Sequence, residues 1–132
     1  MRATFHLGFG EIEVSGSTDD YVRLAALVRQ GAGSLAADPV DAETGSKFVL
    51  SLVRVSTVPG RAVLIRADEV ERSLHISGDP RCLAVLADNI ASLAEDQHGG
   101  HRHIEYFDGH AFLAEGSGPM IQSSPRGGMP PG

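Results

Sequence analysis

The sequence predicts an α+β domain in which two helices cover one face of a mostly antiparallel sheet of about six strands. Two capped amphipathic segments predict the helices, and short runs of alternating polar and apolar residues predict the strands. A strand–turn–helix pattern also occurs twice, 62 positions apart. The length of 132 residues fits one domain, which we expect to span residues 1–122.

Both predicted helices have recognisable ends. The first begins after Ser17, which with Asp20 forms a capping-box-like start, and Gly31 is expected to end it. The second begins at Asp79 as N-cap, with Pro80 in its first turn, where a missing N–H costs nothing. The apolar stripes consist of Tyr21, Leu24, Ala25 and Val28 in the first helix and Leu83, Leu86, Ile90 and Leu93 in the second.

The strands are predicted from period-2 alternation and from the turn residues between them. They are Thr4–Gly8, Glu11–Ser15, Lys47–Ser56, Ala62–Arg66, Ser73–Ser77 and His101–Phe107. Gly8-Phe9-Gly10 predicts a hairpin turn, and the order of Pro59-Gly60 predicts a type II turn that joins Lys47–Ser56 to Ala62–Arg66 as a hairpin. We expect a loop over Gly31–Ser46 and a disordered, Gly/Pro-rich tail over residues 123–132.

The two strand–turn–helix patterns suggest an internal repeat. Each expands to a β-β-α-β unit, one over residues 4–56 and one over residues 62–107. Duplication would explain the matching Ser-Gly pairs and the matching helix stripes. The alternative is that any two strand–turn–helix units share such a pattern.

Alternation also predicts which side chains lie on the sheet face that the helices leave open. This face is polar, acidic and rich in histidine, and it comprises Glu11, Glu13, Ser15, His75, Ser77, His101, His103 and Glu105. From this face and the segment after it we take Glu11, Glu13, His75, His101, His103, Glu105 and His110 as candidate partner-binding residues.

A second interpretation of the same face is a metal site. His101, His103 and Glu105 alternate along one strand, and His75 is predicted to lie beside them. Imidazole and carboxylate groups are ordinary zinc ligands, so zinc would be the cofactor under this alternative. A solvated polar face is the simpler explanation, and it requires no cofactor.

Composition excludes several classes of function. There are 17 Asp and Glu against 11 Lys and Arg, a formal charge of −6, which disfavours nucleic-acid and anionic-membrane surfaces and favours a basic partner. No apolar run is long enough to span a membrane, and the single cysteine, Cys82, implies no oxidising compartment, so we expect a cytoplasmic protein. Cys82 begins a helix but lies in no nucleophile motif, and no catalytic glycine motif is present.

The second half of the chain resembles a bacterial family, immunity protein 32, over about residues 62–122. The resemblance is carried by Leu74-His75-Ile76-Ser77-Gly78, Leu86-Ala87-x-Asn89 and His101-x-His103-Ile104-Glu105-Tyr106-Phe107-x-Gly109-His110-x-Phe112-Leu113-Ala114-x-x-Ser117-x-Pro119. It implies an α+β antitoxin-like protein that binds and occludes the toxin of a polymorphic toxin system.

These observations lead to one principal expectation and two alternatives. We expect a non-enzymatic binding protein that neutralises a cognate toxin, and an acidic immunity protein would suit a basic nuclease toxin. The first alternative is a metal-binding protein or metal-dependent enzyme that uses His75, His101, His103 and Glu105. The second is a homodimer built on the open face.

Overall fold

The computed structural model describes residues 1–6, 10–37, 47–95 and 101–123, with the side chains of residues 47 and 48 left aside. The chain has the predicted α+β class, with two helices and nine strands in the described ranges. In chain order the elements are β1 (Arg2–His6), β2 (Glu11–Ser15), α1 (Thr18–Gln30), β3 (Gly33–Ala36), β4 (Lys47–Leu50), β5 (Leu52–Thr57), β6 (Leu64–Asp68), β7 (Ser73–Gly78), α2 (Pro80–Ala94), β8 (His101–Ile104) and β9 (Met120–Ser123).

The strands form two sheets, where the sequence predicted one. The five-stranded sheet has the order β4-β1-β2-β9-β8, and the four-stranded sheet has the order β3-β5-β7-β6. The predicted strand Lys47–Ser56 is broken at Ser51, whose backbone N–H donates to the carbonyl oxygen of Arg72 at 2.7 Å. The break sends β4 into one sheet and β5 into the other.

The two halves of the chain are interlocked across these sheets. In each half a hairpin, β1–β2 or β6–β7, leads into a helix and then into a second antiparallel pair, β3–β5 or β8–β9. That second pair joins the hairpin of the other half, so β9 lies parallel to β2 and β5 lies parallel to β7. Neither half therefore completes a sheet by itself, and both contribute to one core.

The hairpin predicted around Pro59-Gly60 is wrong, although the turn is present. Gly60 has φ 77°, and the Arg61 N–H donates to the carbonyl oxygen of Val58 at 3.3 Å. The strands on either side of the turn do not pair, because β7 lies between β5 and β6. A turn sequence specifies the local reversal but not which strands then hydrogen-bond.

Both helices begin where the sequence predicts, and α1 also ends at the predicted residue. The Ser17 side chain accepts from the Asp20 N–H while the Asp20 carboxylate accepts from the Ser17 N–H, and Gly31 ends α1 with φ 79°. Asp79 caps α2 by accepting from the Cys82 N–H at 2.8 Å. In the described residues neither helix has the length and apolar character needed to cross a membrane.

The hydrophobic core is a single cluster of buried side chains from both sheets and both helices. The helices pack against each other, and their predicted stripes are buried. Tyr21 is fully buried, and its burial raises the pKa of its phenol. Fully buried side chains from the strands include Ile12, Leu50, Ile65, Leu74, Ile76 and Met120.

Other predicted boundaries are refined. The predicted loop Gly31–Ser46 contains β3, and β9 lies in a segment for which no strand was predicted. β1 and β2 pair antiparallel with His6 opposite Glu11, as the predicted hairpin requires, although residues 7–9 lie outside the described ranges. Residues 38–46 of the loop and 124–132 of the tail also lie outside them.

Candidate functional site

The structure divides the candidate partner-binding residues between two sheets. Glu11 and Glu13 lie on β2, and His101 and His103 lie on β8, so these four belong to the five-stranded sheet. Glu105 and His110 follow β8, while His75 lies on β7 of the four-stranded sheet. The single open face predicted from the sequence is therefore two faces.

His103 and Glu13 share one face of the five-stranded sheet. His103 is opposite Ile121, and Ile121 is opposite Glu13. Two strand spacings separate them, roughly 10 Å. Their neighbours Ile12 and Ile104 are buried on the other face, as the alternation predicted.

His75 has a different set of neighbours. Its Nε2 lies 2.8 Å from the Ser73 hydroxyl and 3.4 Å from a carboxylate oxygen of Glu71, which also pairs with Arg54. Because His75 and the β8 histidines belong to different sheets, the structure does not bring His75, His101, His103 and Glu105 together as one set of metal ligands.

Two other groups of histidine and carboxylate side chains are close enough to share a cation. One is His6, Glu11 and Glu13, and the other is Asp68, Glu71 and His75; within each, the possible ligand atoms lie within 4.8 Å of one another. Neither group includes His101, His103 or Glu105 in the part of the chain that the structure describes. The sequence analysis did not choose His6 as a candidate, because its closeness to Glu11 follows only from the register in which β1 pairs with β2.

A groove of about 390 Å³ runs beside β8. It is lined by Asn89 from α2, by Arg102, His103 and Ile104 from β8, and by Glu105, Phe107, His110 and Phe112 from the segment that follows. His103, Glu105 and His110 were predicted, whereas Asn89, Arg102 and Phe107 were not chosen as candidates. Phe107 is 62% exposed, which is unusual for so large an apolar side chain.

His110 holds the segment after β8 in place. Its ring contacts the ring of Phe107 in a tilted arrangement and the ring of Phe112 edge-to-face, with centroid distances of 4.6 and 4.7 Å. Its Nδ1 accepts from the backbone N–H groups of Phe112 at 3.2 Å and of Leu113 at 3.0 Å. The geometry therefore gives His110 a positioning role, whatever contact it also makes with a partner.

The segment after β8 carries negative charge. Glu105, Asp108 and Glu115 are exposed, and the sequence has no Lys or Arg from residue 103 to residue 123. Partial burial raises the pKa of Tyr106, and the nearby carboxylates of Asp108 and Glu115 raise it further. The same carboxylates would attract a cationic side chain.

A larger cavity, of about 560 Å³, opens on the four-stranded sheet. Its lining includes Arg66 and His75 together with Asp68 and Glu69, so it combines both signs of charge. Arg54, His75 and Arg66 form one row across β5, β7 and β6.

Cys82 lacks the lowered thiol pKa that is typical of an activated nucleophile. Partial burial and the neighbouring Asp79 carboxylate raise the pKa of its thiol, so the neutral form is favoured. A nucleophilic cysteine needs the opposite shift. The N-terminus of α2 is capped by the same carboxylate.

Comparison with known proteins gives one match. The family model described as immunity protein 32 matches residues 73–124, a segment that contains β7, α2, β8, β9 and every residue lining the groove beside β8. No curated protein and no solved structure gives a significant match. The match confirms the resemblance predicted from the sequence: over residues 73–124 the chain is similar to immunity protein 32.

Proposed function

We propose that this chain is a non-enzymatic immunity protein that neutralises a cognate protein toxin by binding it and occluding its active surface. The observation that carries the proposal is that the family match, residues 73–124, includes the whole groove beside β8. The proposal requires no cofactor.

The groove has the chemical character of a protein-binding site. An exposed aromatic side chain, Phe107, lies among charged and polar residues. Interfaces typically gain most of their binding energy from a few such aromatic anchors surrounded by a polar rim. We therefore place the centre of the toxin interface at Phe107, with Glu105 and His103 at its rim.

Charge supports a basic toxin. The chain carries a formal charge of −6, and Glu105, Asp108 and Glu115 add a local negative potential beside the groove. A nuclease toxin needs a cationic surface to hold phosphate, and complementary charge accelerates its encounter with an acidic inhibitor. A basic nuclease is accordingly our preferred partner.

The experiment is to purify the chain together with the toxin domain encoded beside its gene. We expect a stable complex, loss of toxin activity at an equimolar ratio, and survival of cells that express both proteins. A toxin from an unrelated locus is the specificity control. Full toxin activity in the presence of excess protein, with no complex on gel filtration, would contradict the proposal.

A further inference from the structure

The strand beside the groove is an edge strand. β8 is the last strand of the five-stranded sheet and pairs with β9 alone among the described residues. In an antiparallel pair, alternate residues direct their N–H and C=O groups away from the partner. Along β8, from His101 to Ile104, the groups on alternate residues therefore point to the open side of the sheet.

The groove borders this edge strand. Three consecutive β8 residues line it, and because successive side chains of a strand point to opposite faces, the groove reaches the edge of the sheet. Asn89 of α2 also lines it, and its carbonyl oxygen accepts from a guanidinium N–H of Arg102 at 2.7 Å. The rings of Phe107 and Phe112 complete the apolar part of the lining.

We propose that the open edge of β8 takes up an extended segment of the toxin as an additional strand of the five-stranded sheet. This inference rests on the proposed function and specifies how the toxin is bound. Main-chain hydrogen bonds to β8 would supply affinity, and alternate side chains of the added strand would contact the two sides of the groove.

The chemistry of the groove indicates what this segment contains. An apolar side chain would pack on Phe107 and Phe112, which border the groove. A Lys or Arg side chain would be attracted to Glu105, which lines the groove, and to the nearby Asp108, since both are exposed in a stretch without Lys or Arg. Arg102 also lines the groove, but its guanidinium donates to the carbonyl oxygen of Asn89. The expected ligand is therefore a strand in which apolar and cationic residues lie close together.

A second copy of this chain suits the edge less well. Antiparallel pairing of two β8 edges centred on Arg102 would bring the Arg102 side chains of the two copies opposite each other. Like charges directly opposite each other destabilise a strand pair. Two copies would also bring together two surfaces that both carry Glu105 and Asp108.

Amide hydrogen exchange, measured by NMR on the labelled full chain, tests the inference directly. In the free protein we expect two alternate amides among residues 101–104 to exchange at least about a hundredfold faster than their neighbours, because only the neighbours are paired with β9. Adding the toxin encoded beside the gene should slow these two amides by a similar factor.

The outcomes separate this inference from the proposed function. If the toxin binds and the two amides stay fast, the strand-addition inference is overturned while the proposed function stands. If the toxin does not bind, the proposed function fails and the inference fails with it. If the two amides are already slow in the free protein and sedimentation shows a dimer, a second copy occupies the edge and the inference is overturned.

A charge-reversal pair gives an independent test. Glu105→Arg should weaken toxin binding by at least about tenfold at low salt, mainly through a slower association rate. Glu69→Arg makes the same change of charge at an exposed site just after β6 and should change the affinity less than about threefold. Equal effects of the two substitutions would show that only net charge matters and would overturn the assignment of the cationic contact.

Discussion

The hydroxyl of Tyr21 in α1 donates to the carbonyl oxygen of Val14 in β2 at 3.1 Å, and the carbonyl oxygen of Ser123 at the end of β9 also lies within hydrogen-bond distance. This one side chain therefore connects the first helix to two parallel strands that come from opposite ends of the chain. Tyr21 is fully buried, so water cannot replace the hydrogen bond.

Tyr21→Phe should lower the free energy of unfolding by about 1–2 kcal/mol, because buried carbonyl groups lose their donor while the ring is retained. Urea denaturation measures the change. Tyr106→Phe is the matched control, since Tyr106 is only partly buried, and it should cost less than half as much. A loss of stability no larger for Tyr21→Phe than for the control would show that the hydrogen bond of the Tyr21 hydroxyl contributes nothing to the free energy of unfolding.

Gln122, unlike Tyr21, is a buried polar side chain that is expected to destabilise the fold. It is fully buried in β9, and neither its amide nitrogen nor its amide oxygen has a hydrogen-bond partner among the residues that the structure describes. Buried polar groups without partners cost about 1–3 kcal/mol. Gln122→Met keeps the length of the side chain and should raise the free energy of unfolding by about 1 kcal/mol or more.

The control for this substitution is Gln30→Met at the exposed end of α1, which should change stability by less than about 0.5 kcal/mol. Thermal and urea unfolding of the two variants give the comparison. If Gln122→Met is destabilising, the buried amide stabilises the fold and the prediction is wrong.

Acid should destabilise the fold through three carboxylates that accept hydrogen bonds from backbone N–H groups. Backbone N–H groups donate to Asp20, Asp68 and Asp79 and hold the pKa of each below its usual value of 3.8. A group whose pKa is lower when folded stabilises the fold above the unfolded pKa, and that stabilisation is lost as the pH falls through the folded value. Stability should therefore be constant from pH 7 to about 5 and decrease below about pH 4.

Asp79→Asn isolates one of these groups. Wild type should be more stable than the variant at pH 7, and the difference should shrink towards pH 2, where the wild-type carboxyl is protonated as well. Unfolding by urea at a series of pH values measures it. Glu69→Gln is the control, and a pH-independent difference for Asp79→Asn would show that the charge at the cap is irrelevant.

His110 provides a test of how the groove is held. His110→Ala removes the acceptor for the N–H groups of Phe112 and Leu113 and should cost about 1–2 kcal/mol in stability. His110→Asn keeps an acceptor at a similar distance from the backbone and should recover part of the loss. Equal stability of the two variants would indicate that the ring packing matters and the hydrogen bonds do not.

Local features of this fold were predictable from the sequence, whereas its long-range pairing was not. Ser17, Gly31 and Asp79 act through neighbours three or four residues away, so their capping roles follow from the local sequence. At Ser51 the chain passes from one sheet to the other, and the Ser51 N–H donates a hydrogen bond to the carbonyl oxygen of Arg72, 21 residues away. No local sequence pattern encodes this contact. One broken strand thus changed a single predicted sheet into two.

The same distinction applies to the candidate site. His103, Glu105 and His110 were predicted because they lie close together in a recognisable block. Asn89 and Arg102 line the groove only because α2 approaches β8, which is a tertiary contact. His75 was misplaced beside the β8 histidines because alternation identifies the face of a strand and not the sheet that contains it.

The most direct test of the account is the affinity of the toxin for two variants that each lose an exposed apolar side chain. Phe107, 62% exposed, borders the groove, whereas Val70, 96% exposed, lies between β6 and β7 and outside the matched segment. Phe107→Ala should raise the Kd for the toxin encoded beside the gene by at least about tenfold, and Val70→Ala should leave it unchanged within about twofold. An unchanged Kd for Phe107→Ala, with both variants folded, would contradict the placement of the toxin interface at this groove.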